Sequence, residues 1–584
     1  MADIPRPEHP RPDFERSAWQ NLNGPWQFEL DSARCGIEKG WHAGTEFGRR
    51  ITVPFCPESR LSGIGERDFL GAVWYRRLFR IDDALRGRRL LLHFGAVDYE
   101  ARVWVNGREV AWHRGGFTPF SADITDTVNP DGENEIVVYA VDNERSGFQP
   151  LGKQSARLHS YGCHYTRTTG IWQTVWLESV AETRVSGLTV WPDAANGLAA
   201  VEVTVANPRP GVALELEALA SGRAVASAGL AQAQAMSTFV LQIPDAALWE
   251  PGKPFLYGLR ARLISAGGMI DEVNSYFGLR EVRIEGDRIL INSKPVFQRL
   301  ILDQGFWPDG IYTAPSDDEV RADIERSIAM GFNGARLHQK VFEPRTLYWA
   351  DSLGYIVWAE FPDWGCATRC HAQARENFAR EWTEVVLRDR SHPCIVAWTP
   401  LNEARSDGDR YDPLFFREIY GLTKRLDPTR PVVDASGYTH VVTDIWDLHD
   451  YDQKPESFAA RYAPFGEQPS SQTLPRNDPE HEPPYAGQPV VVSEYGGARW
   501  DPGAQSDGSA WGYGAAPGSE EEFVARLKGL TDALLDNPHM AGLCYTQLTD
   551  VEQEVNGLYT YDRKAKFTRD VIRQIMSRGA AIER

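Results

Sequence analysis

Apolar and polar residues alternate at period two through the first part of the chain and then give way to short apolar runs separated by helical repeats. Segments 72–81 (AVWYRRLFRI), 89–110 (RLLLHFGAVDYEARVWVNGREV) and 134–143 (NEIVVYAVDN) read as strands. Ala101, Val103 and Val105 alternate with Arg102, Trp104 and Asn106. Asn106-Gly107 then supplies a hairpin turn, because both residues tolerate positive φ. Residues 1–180 are expected to form a β-sandwich. Residues 181–282 repeat the rhythm in 199–207 (AAVEVTVAN), 213–219 (ALELEAL) and 237–243 (STFVLQI), at the spacing of an immunoglobulin-like sandwich.

From 283 onward, strand and helix patterns alternate. Candidate strands are 294–302, 333–338, 355–361, 395–403, 431–437, 442–451, 489–497 and 541–550. Ser316 with Glu319 predicts a capping box ahead of an apolar face of Val320, Ile324 and Ile328. Ser519 with Glu522 repeats it before Phe523, Leu527, Leu530 and Leu534. Eight strands alternating with helices over residues 283–584 predict a (β/α)₈ barrel. An open doubly wound sheet is the alternative, but no Gly-rich phosphate loop supports it. Segment 461–488, rich in Pro and polar residues, reads as a long loop over the rim ahead of the seventh strand.

Composition narrows the function. A net charge of -19 gives no basic footprint for nucleic acid. No stretch of 18 uninterrupted apolar residues suggests a membrane span, and the start of the chain does not read as a signal peptide. The seven Cys are odd in number and scattered, which points to a reducing compartment, so a cytoplasmic location is expected. Cys366, Cys370 and His371 have loose metal-ligand character, but no second pair completes a tetrahedral set, and neither metal nor cofactor is expected. The 19 Trp suit the apolar faces of sugar rings as well as β-rich cores.

The candidate chemistry lies at strand ends, where barrel enzymes carry their catalytic groups. The fourth strand ends Leu401-Asn402-Glu403 and the seventh Ser493-Glu494-Tyr495. A Glu closing an apolar strand is costly to bury unpaired. One such Glu fits a salt bridge at the barrel mouth; two fit an acid/nucleophile pair better. Cleaving a glycosidic bond with retention needs two carboxylates about 5–5.5 Å apart, one attacking and one serving as acid and then base. Their pKa values must be pushed apart, and Tyr451 or Tyr495 could hold the nucleophile ionised.

Several segments carry a resemblance to glycoside hydrolase family 2, which contains β-galactosidases, β-glucuronidases and β-mannosidases. WQNLNGPWQFEL (19–30), WYRRLF (74–79), VWVNGREV (103–110) and GIWQTVWLE (170–178) resemble its sugar-binding domain, which implies a jelly-roll sandwich. GFNGARLHQ (331–339) resembles its second barrel strand and RDRSHPCIVAWTPLNEA (388–404) its acid/base motif; PVVVSEYGG (489–497) is similar to its nucleophile strand. The resemblance implies Glu403 as acid/base, Glu494 as nucleophile, Asn402 on the sugar 2-hydroxyl and Arg336 supporting the nucleophile. Family members are often oligomers, so a homo-oligomer is an expectation without an identified interface.

The chain departs from the family at the sugar pocket. The Asn-x-Lys motif that holds the carboxylate in β-glucuronidases is absent; Glu554-Val555-Asn556-Gly557 stands there. Tyr545 and Gln547 occupy the eighth strand where the family usually has a Trp floor. Asp303-Gln304-Gly305-Phe306-Trp307 replaces the usual Arg-His pair of the first strand. Asp303, Gln304, Trp307, His338, Gln339, Trp364, His449, Tyr451, Tyr545 and Gln547 are the expected pocket residues. A β-D-galactoside is the first expectation for this carbohydrate-active chain. A β-D-galactofuranoside or α-L-arabinofuranoside, a β-glucuronide, or binding without catalysis are the alternatives.

Overall fold

The computed structural model describes residues 4–501 and 510–584. Near the N-terminus a six-stranded antiparallel sheet faces a four-stranded one. Trp26, Phe28, Tyr75, Leu92, Phe94, Val103, Val138 and Leu177 fill the space between them. Asn106 and Gly107 both take positive φ, 49° and 78°, and join Glu100–Val105 to Arg108–Arg114. Trp104 departs from its expected outward place. It is 4% exposed and stacks on Trp74 at 5.7 Å, because Phe47, Ile37 and Trp41 cover that outer face.

The second unit packs a three-stranded against a four-stranded sheet, with a core of Val201, Val203, Leu214, Leu216, Leu259 and Val273. Along Leu198–Ala206 every second residue is buried, as period-two alternation requires.

The third unit is a (β/α)₈ barrel. Its strands are Gln298–Asp303, Gly334–Leu337, Ile356–Glu360, Ile395–Thr399, Ala435–Ser436, Trp446–Asp450, Val490–Tyr495 and Met540–Tyr545. Seven form one parallel sheet; the first strand pairs with both the second and the eighth. The short fifth strand joins the fourth through Leu401↔Ala435 and Trp398↔Val432. Buried on both faces, these strands read as apolar runs rather than alternations.

Helix Asp317–Ala329 starts where Ser316 accepts the Glu319 amide, but the Glu319 carboxylate pairs with Arg326 instead of closing the box. Val320 and Ile324 are buried while Ile328 is 37% exposed. Spacing by four overshoots a 3.6-residue turn, so a third repeat rotates off the face. Segment 461–488 is not all loop. Pro455–Glu467 is a helix that buries Phe458, Tyr462 and Phe465, with Pro464 inside it. The 4-then-3 spacing of those aromatics outweighs the proline.

The N-terminal sandwich also reaches the barrel rim. Between Val141 and Gly170 its chain crosses the barrel mouth, where Leu151 donates its amide to the Trp364 carbonyl at 2.7 Å. Gly152 has φ +61°, and a Cβ there would lie 2.0 Å from the Gln339 carbonyl oxygen. Only glycine lets this loop lie so close to the second strand's end.

Candidate active site

Arg336, on the second strand, organises the mouth of the barrel. Its guanidinium is fully buried and donates to Glu360 at 2.6 Å, Glu494 at 2.7 Å and Asn402 Oδ1 at 2.7 Å. A planar guanidinium spreads its N–H groups over three nitrogens in fixed directions, so it reaches acceptors further apart than the single nitrogen of a lysine can span. Asn402 is thereby turned so that its Nδ2, buried and without a partner among the described residues, is free for a ligand oxygen.

Glu494 is 4% exposed. One oxygen meets Arg336; the other accepts the Tyr451 hydroxyl at 2.5 Å. Tyr451 is held flat against Tyr513, ring centroids 3.4 Å apart. Glu403 has φ +49°, and its backbone amide donates to the Ser436 carbonyl. Its side chain is more open, 22% exposed. The residue between the two carboxylates is His449. Its Nδ1 lies 3.0 Å from Glu403 Oε1 and 3.3 Å from Glu494 Oε2. The three groups present ligand atoms all within 4.8 Å of one another.

That cluster is better read as sharing a proton than as holding a metal ion. Arg336 already compensates Glu494, and its charge would oppose a dication at the same oxygens. Burial alone would raise the Glu403 carboxyl, but the hydrogen bond and charge of His449, then Lys153 and Arg410, bring it down to about 2. Burial would also raise Glu494, yet His449 and Arg336 hold it below the ordinary carboxylate range. His449 moves the other way: burial would lower it, and Glu494 and Glu403 outweigh that and raise it. In the ligand-free site the surrounding charges hold both carboxyls down and the imidazole up, so the arrangement favours a proton on His449 over one on either carboxylate.

The other expected pocket residues divide. His338 is buried, with Nδ1 3.0 Å from Glu360 but angled so that no hydrogen bond forms. Burial, Lys153 and Arg336 keep it neutral. Gln339 lies beneath the site, donating to Asp363 at 2.6 Å and Glu360 at 3.2 Å. Trp364 is partly open and donates to the Asn402 carbonyl at 3.3 Å. Gln304 is buried, its Oε1 without a partner among the described residues.

Asp303 and Trp307 do not face the carboxylates, and Tyr545 and Gln547 are tied to Asn556. Asp303 turns towards Asp323, Arg563 and Lys340 on the outer side of the first strand, where its own β-turn amide, Gly305, caps it. Trp307 packs with Ala314, Val320 and Trp349 under the Arg563 guanidinium. Asp303 follows the strand's period, since a residue whose side chain leaves the barrel axis packs on the surrounding helices, whereas Trp307 lies beyond the strand in a loop bridged to Ile311. Tyr545 is 1% exposed and directs its hydroxyl to the Asn556 carbonyl, so it is wall rather than floor. Gln547 is fully buried and donates to Asn556 Oδ1 at 2.8 Å.

The sequence reading missed a second group. Glu360 closes the third strand, and the strand-end argument used for Glu403 and Glu494 would have found it. Arg410 donates to Asp363 and to the carbonyls of Asn402 and Glu403, at 2.6, 2.6 and 2.9 Å. Lys153 and Tyr165 come from the N-terminal sandwich. The Lys153 ammonium is 3.9 Å from the Trp364 ring centroid. Burial would lower its pKa, but Cys163, Glu554, Glu403 and Glu494 raise it. Tyr165 donates to Glu554, whose other oxygen accepts Asn556 Nδ2 at 3.1 Å. The N-terminal sandwich thus brings side chains beside the strand-end carboxylates.

The same three-part architecture recurs in known proteins. Residues 63–177 match the sugar binding domain of glycosyl hydrolases family 2, residues 183–280 match a second model of that family, and residues 282–510 match its TIM barrel domain. The chain is 26% identical over 517 residues to a β-glucuronidase of Paenibacillus borealis, covering 82% of this chain and 83% of that one. It is 26% identical over 425 residues to a β-galactosidase of Thermoanaerobacter pseudethanolicus, covering 70% of this chain and 53% of that protein. A solved β-glucuronidase from Ruminococcus gnavus in complex with D-glucuronic acid superposes with a TM-score of 0.79 at 21% identity, covering 96% of this chain and 98% of that one. With all three of its units matched in order, the chain belongs to glycoside hydrolase family 2.

Proposed function

We propose that this glycoside hydrolase removes a terminal β-linked sugar with retention, and that the sugar is a β-D-glucuronide. Glu494 attacks the anomeric carbon while Glu403 gives a proton to the departing oxygen, which leaves with the electron pair of the broken C–O bond. Water then loses a proton to Glu403 and displaces Glu494 from the anomeric carbon. The separation of the pair supports retention: oxygens within 4.8 Å leave no room for the water that an inverting pair, about 6.5–9.5 Å apart, must admit between sugar and base.

Lys153 carries the choice of sugar. It is 6% exposed, it forms no ion pair among the described residues, and its ammonium is stacked on Trp364 beside the catalytic carboxylates. Its charge is favoured by the surrounding acids and not by an ion pair, so its donors remain available to a substrate carboxylate. It would do the work of the missing Asn-x-Lys lysine from another domain. Relatives named β-glucuronidase agree with this reading. A second reading, a neutral β-D-galactoside or a furanoside, is favoured by Glu554, an acid held buried at the position of that motif by Tyr165 and Asn556.

Nitrophenyl β-D-glucuronide, β-D-galactopyranoside, β-D-galactofuranoside and α-L-arabinofuranoside separate the two. The glucuronide is expected to have the highest kcat/KM. Lys153→Met is expected to lower it about 10- to 100-fold, the worth of a hydrogen bond to a charged group, with little effect on neutral glycosides. Turnover of a neutral glycoside with none of the glucuronide would remove the carboxylate reading and leave the neutral one.

A further inference from the structure

His449 is the feature that the two-carboxylate mechanism leaves unused. It stands on the sixth strand, and a register shift between Leu448 and His449 turns its ring into the barrel mouth. Gly437 lies flat against that ring: a Cβ there would come within 2.5 Å of the imidazole, and its φ is +97°. The ring is therefore placed, not merely accommodated. Nδ1 faces Glu403 and Glu494. Nε2 lies 3.1 Å from Ser436 Oγ and 3.5 Å from Arg336. The Ser436 hydroxyl donates on to Asp447, as does Ser493. Asp447 is in turn 3.1 Å from His440 Nε2, and His440 Nδ1 is 2.8 Å from Asp434. An unbroken line of donors and acceptors runs from Glu403 through His449 to the buried Asp447.

We propose that His449 is the positioning residue that stores the acid/base proton, holding it at Nδ1 until Glu403 needs it and anchoring its own charge through Ser436 on Asp447. This rests on the acid/base reading of Glu403 above. Two carboxylates this close need positive charge between them to stay ionised together. Arg336 serves Glu494 permanently and cannot release a proton; His449 can. When substrate enters, the Nδ1 proton passes to Glu403 Oε1, and Glu403 protonates the departing oxygen. Glu403 is then a carboxylate again, ready to take a proton from water. That proton returns the Glu403–His449 pair to its starting state, so the cycle balances.

The groups facing the imidazole decide its titration. Glu403 and Glu494 favour its cation from the fourth and seventh strands, as does Asp447 through Ser436. Arg336 on the second strand opposes it, and the neutral His338 lies beyond. The Tyr438 ring is 6.3 Å away and carries no charge near neutrality. Lys153 and Arg410 act on Glu403.

The test compares His449→Gln, His449→Ala and Glu403→Ala on phenyl and 2,4-dinitrophenyl glycosides of whichever sugar the wild type hydrolyses. Glutamine can still donate a hydrogen bond but cannot store a proton. His449→Gln is expected to keep the wild-type Tm and to slow the phenyl glycoside roughly 10-fold or more, while glycosylation by the dinitrophenyl glycoside, which needs no acid, changes little. The alkaline limb of kcat/KM is expected to move about one pH unit or more towards acid, because the proton then belongs to a carboxyl and no longer to a carboxyl–imidazole pair. His449→Ala is expected to do the same with a lower Tm. Equal slowing of both substrates by His449→Gln, or an alkaline limb that stays in place or moves to higher pH, would overturn the proposal. Glu403→Ala keeps the two readings apart. If it leaves phenyl glycoside hydrolysis intact, the acid/base assignment itself falls; if it slows that substrate while His449→Gln behaves as a packing change, only the storage role falls.

Discussion

Alanine at position 494 is expected to lower turnover of aryl glycosides roughly 10⁴-fold, the scale on which removal of a covalent nucleophile acts. The structure gives the reason for so large an effect. Glu494 is buried, ionised by His449 and Arg336, and oriented by Tyr451 at 2.5 Å, so no neighbouring group can take its place. In the proposed mechanism Glu403 takes the opposite role, on the side of the departing oxygen. Sodium azide is small enough to occupy the space left by the carboxylate. It is expected to restore turnover and yield a glycosyl azide of inverted configuration, which NMR of the product would identify. Wild-type turnover without azide, or an azide product of retained configuration, would remove Glu494 from the nucleophile's role.

The second large effect falls on Arg336. Methionine there fills the same volume but leaves Glu360, Glu494 and the Asn402 amide without their shared donor. Breaking a buried ion pair from one side strands the other charge and costs about 3–5 kcal/mol. A marked fall in Tm is expected together with loss of activity. Arg336→Lys is expected to recover part of the Tm but little activity, because one ammonium nitrogen cannot span the three acceptors that the guanidinium reaches with separate nitrogens. Calorimetry at several pH values checks the cause. The Glu494 carboxyl is held below its ordinary range, so the stability it contributes is present above the unfolded carboxylate pKa and is lost as pH falls through the folded one. The deficit of Arg336→Met should therefore shrink in acid. A variant as stable and as active as wild type at neutral pH would show that the fork does not organise the site.

Some of this arrangement was legible in the chain. Parallel strands buried on both faces leave apolar runs such as Val490–Tyr495, and a Glu at the end of such a run stands out. The period-two alternation of Leu198–Ala206 was equally plain. Reading failed where the deciding partner is remote. Trp307 and Asp303 follow a strand end as pocket residues do, but only the position of helix Asp317–Ala329 shows that they face it. Helix Pro455–Glu467 was hidden by its prolines, although its buried aromatics were spaced for it.

The sequence by itself determined the three units, the barrel, and the two strand-end carboxylates Glu403 and Glu494, because each is written in local periodicity and in the misfit of a charge after an apolar run. It named His449 among the pocket residues but could not place it between the two carboxylates, and it did not point to Lys153. His449 is 46 residues from Glu403 and 45 from Glu494 in the chain, and Lys153 is in a different unit altogether. Their nearness is a product of barrel closure and of a loop from the N-terminal sandwich laid across the rim. Hydrogen bonds and charges act over a few ångströms in space, not along the chain. Tertiary structure alone therefore decided that the carboxylates share a histidine, and that a buried ammonium faces them.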